Sequence, residues 1–244
     1  MLEVYKKRGE TPLEALERTR IEMPELAEET LSYAGRLDPM AEGILPILVG
    51  EEENRNRKEY LGKDKQYVAH FMLGYQTDTG DVLGVLEKRD VHPVDESLIE
   101  EALLDLQSLT QQTYPWYSSK TVDGKPLFEY ARAGDFSIER PTREIQIKSV
   151  AGIDISSESH VGLIKDIISD IELVKGDFRQ AQILAGWDAA IEGKMVQMVS
   201  CVLEVSSGTY IRALTEVLAQ KLGIPVVLYR LIRTGVGISM TRGF

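Results

Sequence analysis

The apolar positions of this chain fall into short runs of two periods, and those runs mark out its elements. Over Lys65-Gln-Tyr-Val-Ala-His-Phe-Met-Leu-Gly74 the period is two. That predicts a strand with Tyr67, Ala69, Phe71 and Leu73 on one face. The Asx- and Gly-rich stretch Tyr75-Gln-Thr-Asp-Thr-Gly-Asp81 predicts a turn, with residues 82–86 returning as hairpin partner. Continuous apolar character over 44–49 predicts a buried strand, and further strands are expected at 144–153, 198–206 and 226–232. Residues 154–176 are the least legible and are expected to form a loop and a strand.

The longer period predicts helices. Thr11-Pro-Leu-Glu14 is a capping box, opening a helix through Leu13, Leu16 and Arg20 that stops before Pro24. Asp95 is expected to cap a helix with Leu98, Ala102, Leu103 and Leu106 on its apolar stripe. Residues 125–134 read as a short helix with Pro126 at its start and Gly134 past its end. Asp177 is expected to cap another, with Phe178, Leu184, Trp187 and Ile191 inward and Gly193 at the stop. After Ser206 the chain turns into a helix with Ile211, Leu214, Leu218 and Leu222 buried, closed by Gly223 and Pro225. Tyr114-Pro-Trp-Tyr-Ser-Ser-Lys-Thr-Val-Asp-Gly124 interleaves aromatics with Ser and Lys. It reads as a core-anchoring strand or as a base-stacking surface.

Composition narrows the classes. The 244 residues, 43% hydrophobic, suffice for a sizeable core in one large domain or two small ones. With 39 acidic and 28 basic residues the net charge is −11, which argues against general nucleic-acid binding but leaves room for a local basic groove. A single Cys201 forms no internal disulfide, and Met1-Leu-Glu-Val-Tyr does not resemble a signal peptide. No stretch is apolar enough to span a bilayer, so the expected location is the cytoplasm. Scattered His70, His92 and His160 with one Cys make a zinc site unexpected. There is no phosphate-cradling Gly-Lys-Ser loop, dinucleotide fingerprint or nucleophile elbow.

Two residues suggest chemistry. Asp38 lies between Leu37 and Pro39, with Gly35 and Gly43 on either side and an apolar run behind. Pro39 restricts Asp38 to extended backbone, so one carboxylate is held on a constrained loop. From this stretch alone the favoured reading is a plain Asp-Pro turn. Arg212 lies off its helix's apolar stripe, near the amino terminus, where a cation opposes the helix dipole unless an anion pairs with it. From Thr209 on, Arg212, Lys221, Arg230, Arg233 and Arg242 face only Glu216, so the tail is locally basic. Lys6-Lys-Arg8 is either a solvated helix approach or a phosphate contact.

Several segments together resemble the bacterial tRNA pseudouridine-55 synthases of the TruB type. Gly35-Arg-Leu-Asp-Pro-Met-Ala-Glu-Gly-Ile-Leu-Pro46 is similar to the family's G-x-L-D-P-x-A-x-G-x-L-P motif, and Lys65-Gln-Tyr67 with Gly74-Tyr-Gln-Thr-Asp-Thr-Gly-Asp81 to its K-x-Y and G-x-x-T-D-T-x-D segments. Tyr117-Ser-Ser-Lys120, Gly124-Lys, Tyr130-Ala-Arg132 and Ser207-Gly-Thr-Tyr-Ile-Arg212 come in family order. The resemblance implies an α/β (α+β) pseudouridine synthase fold: a mixed, mostly antiparallel sheet with flanking helices and a central cleft. It implies Asp38 as nucleophile, Tyr67 as the ring that stacks on uracil, and Arg212 as the partner of Asp38. Tyr210, Leu231, Tyr33 and Lys6 fall on substrate-site positions, Lys6 with Gly9 resembling the early K-P-x-G motif. No metal or organic cofactor is implied. The expected partner is the T-arm loop of tRNA, and the expected protein is a cytoplasmic monomer, one catalytic domain over 1–244 without the family's carboxy-terminal PUA RNA-binding domain.

The chain also departs from the family pattern. Tyr33 stands where the family has a histidine, Lys7 where it has a proline, and Glu42 where it has a small residue; residues 154–197 are longer than expected. Two other functions fit these departures: a non-catalytic RNA-binding or tRNA-folding module, and a synthase for another RNA uridine.

Overall fold

The structure, a computed structural model, describes residues 1–237. Arg242 of the basic tail lies outside the described residues. Seven strands form the main sheet: Leu2–Lys6 (β1), Leu31–Tyr33 (β2), Ala41–Val49 (β3), Lys65–Leu73 (β4), Ile147–Ser159 (β5), Met195–Val205 (β6) and Val226–Val236 (β7). Their order is β1-β3-β7-β4-β6-β5, with β2 also on β3. Every pairing is antiparallel except β7 with β3, where Leu231, Ile232 and Arg233 run parallel to Ala41, Glu42 and Gly43.

That parallel contact seats the loop that carries Asp38. Gly43 has φ +110, and a side chain there would run into the Arg233 backbone, so only glycine lets the two strands meet.

Alternation along the strands separates two cores. On one face Tyr67, Ala69, Phe71 and Leu73 pack with Val226, Leu228 and Leu231, as their period of two requires. The helices Glu96–Leu104 and Leu214–Leu222 cover this face through Ile99, Leu103, Leu214 and Leu218. On the other face Met72, Val227, Met198 and Val196 meet the helices His160–Leu173 and Gln180–Ala189.

Several expectations give way here. Residues 154–159 extend β5, and the chain then enters a helix rather than a strand. Its inward residues Leu163, Ile164, Ile167 and Ile171 keep the helical spacing, and the Ser159 side chain caps it. The hairpin partner of Tyr75–Thr77 is Leu86–Arg89, not 82–86; Val82 and Leu83 are instead buried within the turn. Leu98 is 53% exposed and Ile99 takes its inward place. Leu13 is likewise exposed, with Leu16 buried. Asp95 caps its helix as expected, whereas the helix at 180–189 is preceded by Arg179 in the left-handed region, with Asp177 accepting from the Arg179 amide. Residues 114–120 are neither strand nor core but a loop over the large cavity on the Tyr67 face of the sheet. Among the described residues no helix is long and apolar enough to cross a membrane, and no group of three or more His, Cys, Asp or Glu is placed to hold a metal.

Candidate active site

A cavity of about 740 Å³ lies against the Tyr67 face of the sheet, roofed by the loops around Asp38, Thr79, Tyr117 and Thr209. It gathers Asp38, Tyr67, Arg212, Tyr33, Tyr210 and Leu231, six of the seven residues that the sequence marks for the site. Seven Arg and Lys side chains line it against two carboxylates, Asp38 and Asp81, so an acidic chain carries a basic cleft.

Asp38 is held from below. The Gly9 amide donates to the Pro39 carbonyl at 2.9 Å and the Ala41 amide to the Asp38 carbonyl at 3.0 Å. Lys6 is fully buried outside the cavity lining, its ammonium donating to the carbonyls of Lys7 (3.1 Å), Pro39 (3.2 Å) and Ala41 (2.5 Å). Burial pushes its pKa down to about 8, against the opposing pull of Glu10 and Asp38. This corrects both readings of Lys6: its donors are committed to backbone carbonyls, so it braces the Asp38 loop rather than facing solvent or phosphate.

Asp38 and Arg212 meet although 174 positions separate them: Arg212 Nε donates to Asp38 Oδ2 at 2.8 Å. The Asp38 side chain is 43% exposed and that of Arg212 only 5%, so the carboxylate looks into the cavity and its partner lies behind it. The pair is not a fork. Arg212 Nη1 donates to the Thr79 carbonyl at 3.0 Å and Nη2 to the Tyr117 carbonyl at 2.6 Å. One guanidinium thus joins three loops. Burial opposes its charge, but Asp38 and Asp81 outweigh burial and raise its pKa. This carboxylate partner is the anion that the helix-dipole argument required.

Tyr67 lies on β4, opposite Leu203 and Arg233, and presents its ring to the cavity beside Leu231. The Tyr210 ring meets Tyr114 edge-on with centroids 5.8 Å apart, and the Arg212 guanidinium lies 5.7 Å from its centroid. Burial, then Asp38, raises the Tyr210 pKa. Tyr33 ends β2, with its hydroxyl 3.3 Å from Arg36 Nη2.

Sequence reasoning left four contributors without a role. Asp78 accepts the Tyr117 hydroxyl at 2.8 Å and two Arg179 nitrogens at 2.6 and 3.2 Å, and Arg179 stacks 4.5 Å over the Tyr117 ring. These bonds fix the Tyr117 carbonyl that anchors Arg212. Burial, then Asp78, lifts the Tyr117 pKa to about 12. Asp81 is buried, accepting from Thr79 Oγ1 at 2.9 Å and the Leu83 amide at 3.0 Å. Burial raises its pKa against the pull of Arg212. The Thr-Asp-Thr-Gly-Asp run was the available signal for Asp78 and Asp81; nothing local marked Arg179.

A surfaced carboxylate fixed by a buried guanidinium, beside an aromatic ring in a basic cavity, can attack an electrophilic carbon of a planar ligand stacked on that ring.

Known proteins resemble this chain in sequence and in fold. The model of the TruB family pseudouridylate synthase, N-terminal domain, matches residues 25–178. A tRNA pseudouridine synthase B of Psychrobacter cryohalolentis is 32% identical over 237 residues, covering 96% of this chain and 55% of that protein. That of Bacillus licheniformis is 34% identical over 215 residues, covering 87% and 58%. The chain therefore spans a little over half the length of the curated relatives it matches. A crystal structure of a Cbf5–Nop10–Gar1 complex aligns over 97% of this chain and 48% of that chain, with TM-score 0.57 and 20% identity, which is a likeness of fold. With the family model covering more than half of its residues, the chain belongs to the TruB family of pseudouridylate synthases.

Proposed function

We propose that this chain isomerises uridine to pseudouridine in RNA, at U55 in the T-loop of tRNA, with Asp38 as the nucleophile. The observation that carries this reading is the Asp38 carboxylate, 2.8 Å from Arg212 Nε and open to the cavity that Tyr67 lines. The name of its relatives, tRNA pseudouridine synthase B, supports tRNA as the substrate.

The reaction breaks the N1–C1′ bond, turns the base and forms a C5–C1′ bond; C5 loses its proton and N1 takes one up. Taking the base out of its stack costs a few kcal/mol. A Tyr67 ring stacked on the uracil returns about 1–3 kcal/mol of that. Asp38 enters by one of two routes. It bonds to C1′ while the N1 electron pair leaves with the base, or it adds to C6 and carries the base while the glycosidic bond breaks. In the first route C5 attacks C1′ and displaces the carboxylate; in the second C5 attacks C1′, and loss of the C5 proton then expels the carboxylate from C6 as the C5–C6 double bond re-forms. Arg212 holds the Asp38 carboxylate aimed through the bond from its Nε.

The test is incubation with tRNA transcripts followed by chemical mapping of pseudouridine. Modification at the T-loop uridine is expected. Modification elsewhere makes the protein a synthase for another uridine, and binding without modification makes it an RNA-binding module. Asp38→Asn is expected to abolish turnover with an unchanged circular dichroism spectrum; normal turnover refutes the assignment.

A further inference from the structure

Among the described residues, three cations at one end of the cavity form no ion pair with a carboxylate. Lys65 opens β4, Arg143 lies in the short strand Thr142–Glu144, and Arg233 lies on β7; all three line the cavity. Lys65 is 6% exposed and Arg233 1%. Among the described residues each bonds only to neutral oxygens. Lys65 Nζ donates to the carbonyls of Leu61 (2.7 Å) and Lys63 (2.5 Å) and to Ser207 Oγ (3.3 Å). Arg233 donates from Nε to the Ile44 carbonyl (2.6 Å) and from Nη2 to the Gly35 carbonyl (3.1 Å).

Arg143 is the least satisfied. Its Nη2 donates to the Ser207 carbonyl at 3.0 Å, Nη1 has only a long 3.4 Å contact with the Tyr114 hydroxyl, and its buried Nε has no partner. It is also preset. Gly208 packs under the guanidinium so closely that a side chain there would collide with it.

The three charges feel one another. Burial first, then Arg233, with a smaller push from Arg143, lower the Lys65 pKa to about 8 against the opposing pull of Asp64, whose carboxylate is bonded to Lys148. Carbonyl oxygens satisfy donors but do not cancel charge, and a buried cation without a counter-ion is unfavourable. A chain of net charge −11 has carboxylates in excess, yet among the described residues none forms an ion pair with Lys65, Arg143 or Arg233, and Asp64 beside Lys65 is bonded to Lys148 instead. The missing anion therefore comes with the ligand. Arg233 is the sheet partner of Tyr67, so that anion would lie next to the stacked base.

We propose that the Lys65–Arg143–Arg233 corner seats the phosphodiester adjoining the target nucleoside, with Arg143 as its donor and Lys65 and Arg233 supplying fixed positive charge. This rests on the reading of the chain as an RNA uridine synthase.

The test measures binding of a T-arm stem-loop RNA to the full chain carrying Asp38→Asn, as a function of salt. The RNA is unmodified or carries one methylphosphonate on the 5′ or the 3′ side of the target uridine. One of the two neutral linkages is expected to weaken binding roughly tenfold and to reduce the salt slope by about 0.7. Arg143→Gln is expected to give the same loss with unmodified RNA and no further loss with that methylphosphonate, while Arg143→Lys keeps the slope. Equal binding of all three RNAs overturns the proposal without touching the variant proteins. So do losses that multiply when the two changes are combined. Failure of wild-type protein to modify unmodified RNA overturns the parent reading, and is seen before any methylphosphonate is used.

Discussion

Replacing Arg212 by lysine tests the ionic couple most directly, because the charge survives and the geometry does not. The guanidinium makes three bonds in three directions: 2.8 Å to Asp38 Oδ2, 3.0 Å to the Thr79 carbonyl and 2.6 Å to the Tyr117 carbonyl. A lysine ammonium is a compact point charge, and it cannot span acceptors arranged around a plane. If it stays with Asp38, two carbonyls lose their donor; if it stays with them, Asp38 loses its partner. Hydrogen bonds to charged groups contribute about 1.5–3 kcal/mol each, so losing two removes roughly 3–6 kcal/mol. Part of this appears as stability and the rest as disorder of the nucleophile. A misplaced reacting group costs on the order of 100-fold in rate. The expected result is a kcat reduced by about 100- to 10,000-fold, with the Tm lowered by several degrees. The assay is single-turnover pseudouridine formation on a T-arm transcript, alongside thermal melting. Near-wild-type kcat in Arg212→Lys would sink the argument, since proximity of charge alone would then suffice.

Other bonds carry further expectations. Lys6→Met leaves the carbonyls of Lys7, Pro39 and Ala41 without their shared donor. A net loss of about 2–3 kcal/mol is expected, a Tm decrease on the order of 4–12 °C, and an unchanged Tm would show that the ammonium is dispensable. Gly43→Ala drives a side chain into the Arg233 backbone at a positive φ, so turnover and Tm should both fall; wild-type values of both would contradict the close approach of β3 and β7. His160 is buried, shares a hydrogen bond with the Tyr75 hydroxyl, and has its pKa lowered by burial and then by Arg89. The unfolded chain takes up that proton near pH 6.5 while the folded one does not, so stability is lost as pH falls below about 6.5. His70, also lowered by burial, adds to the same window. Urea midpoints measured downward from neutral pH should decline, and less steeply in His160→Gln; a flat profile for wild type would refute the neutral buried imidazole.

Where sequence reading succeeded, local chemistry was strong. The capping box at Thr11 and the cap at Asp95 formed because short polar side chains satisfied exposed amides nearby. The face of β4 formed because a strand puts every second residue on one side. Reading failed where distant packing decided the outcome. Isoleucines over 164–171 favour strands by their branching, yet their spacing buries a helix face against the sheet. Leu98 lost to Ile99 because a one-residue rotation of the stripe better met the core. Lys6 was ambiguous because a buried ammonium and a solvated one look alike in a sequence.

By itself, then, the sequence determined the elements with strong local signals, the constrained loop of Asp38 and the need of Arg212 for an anion, since each arises from backbone restriction or charge within a few residues. The meeting of that loop with a helix start 174 positions away, the single bond that joins the pair, and the corner of Lys65, Arg143 and Arg233 were decided only by the tertiary structure. They depend on how β7 inserts between β3 and β4, and no local pattern encodes that insertion.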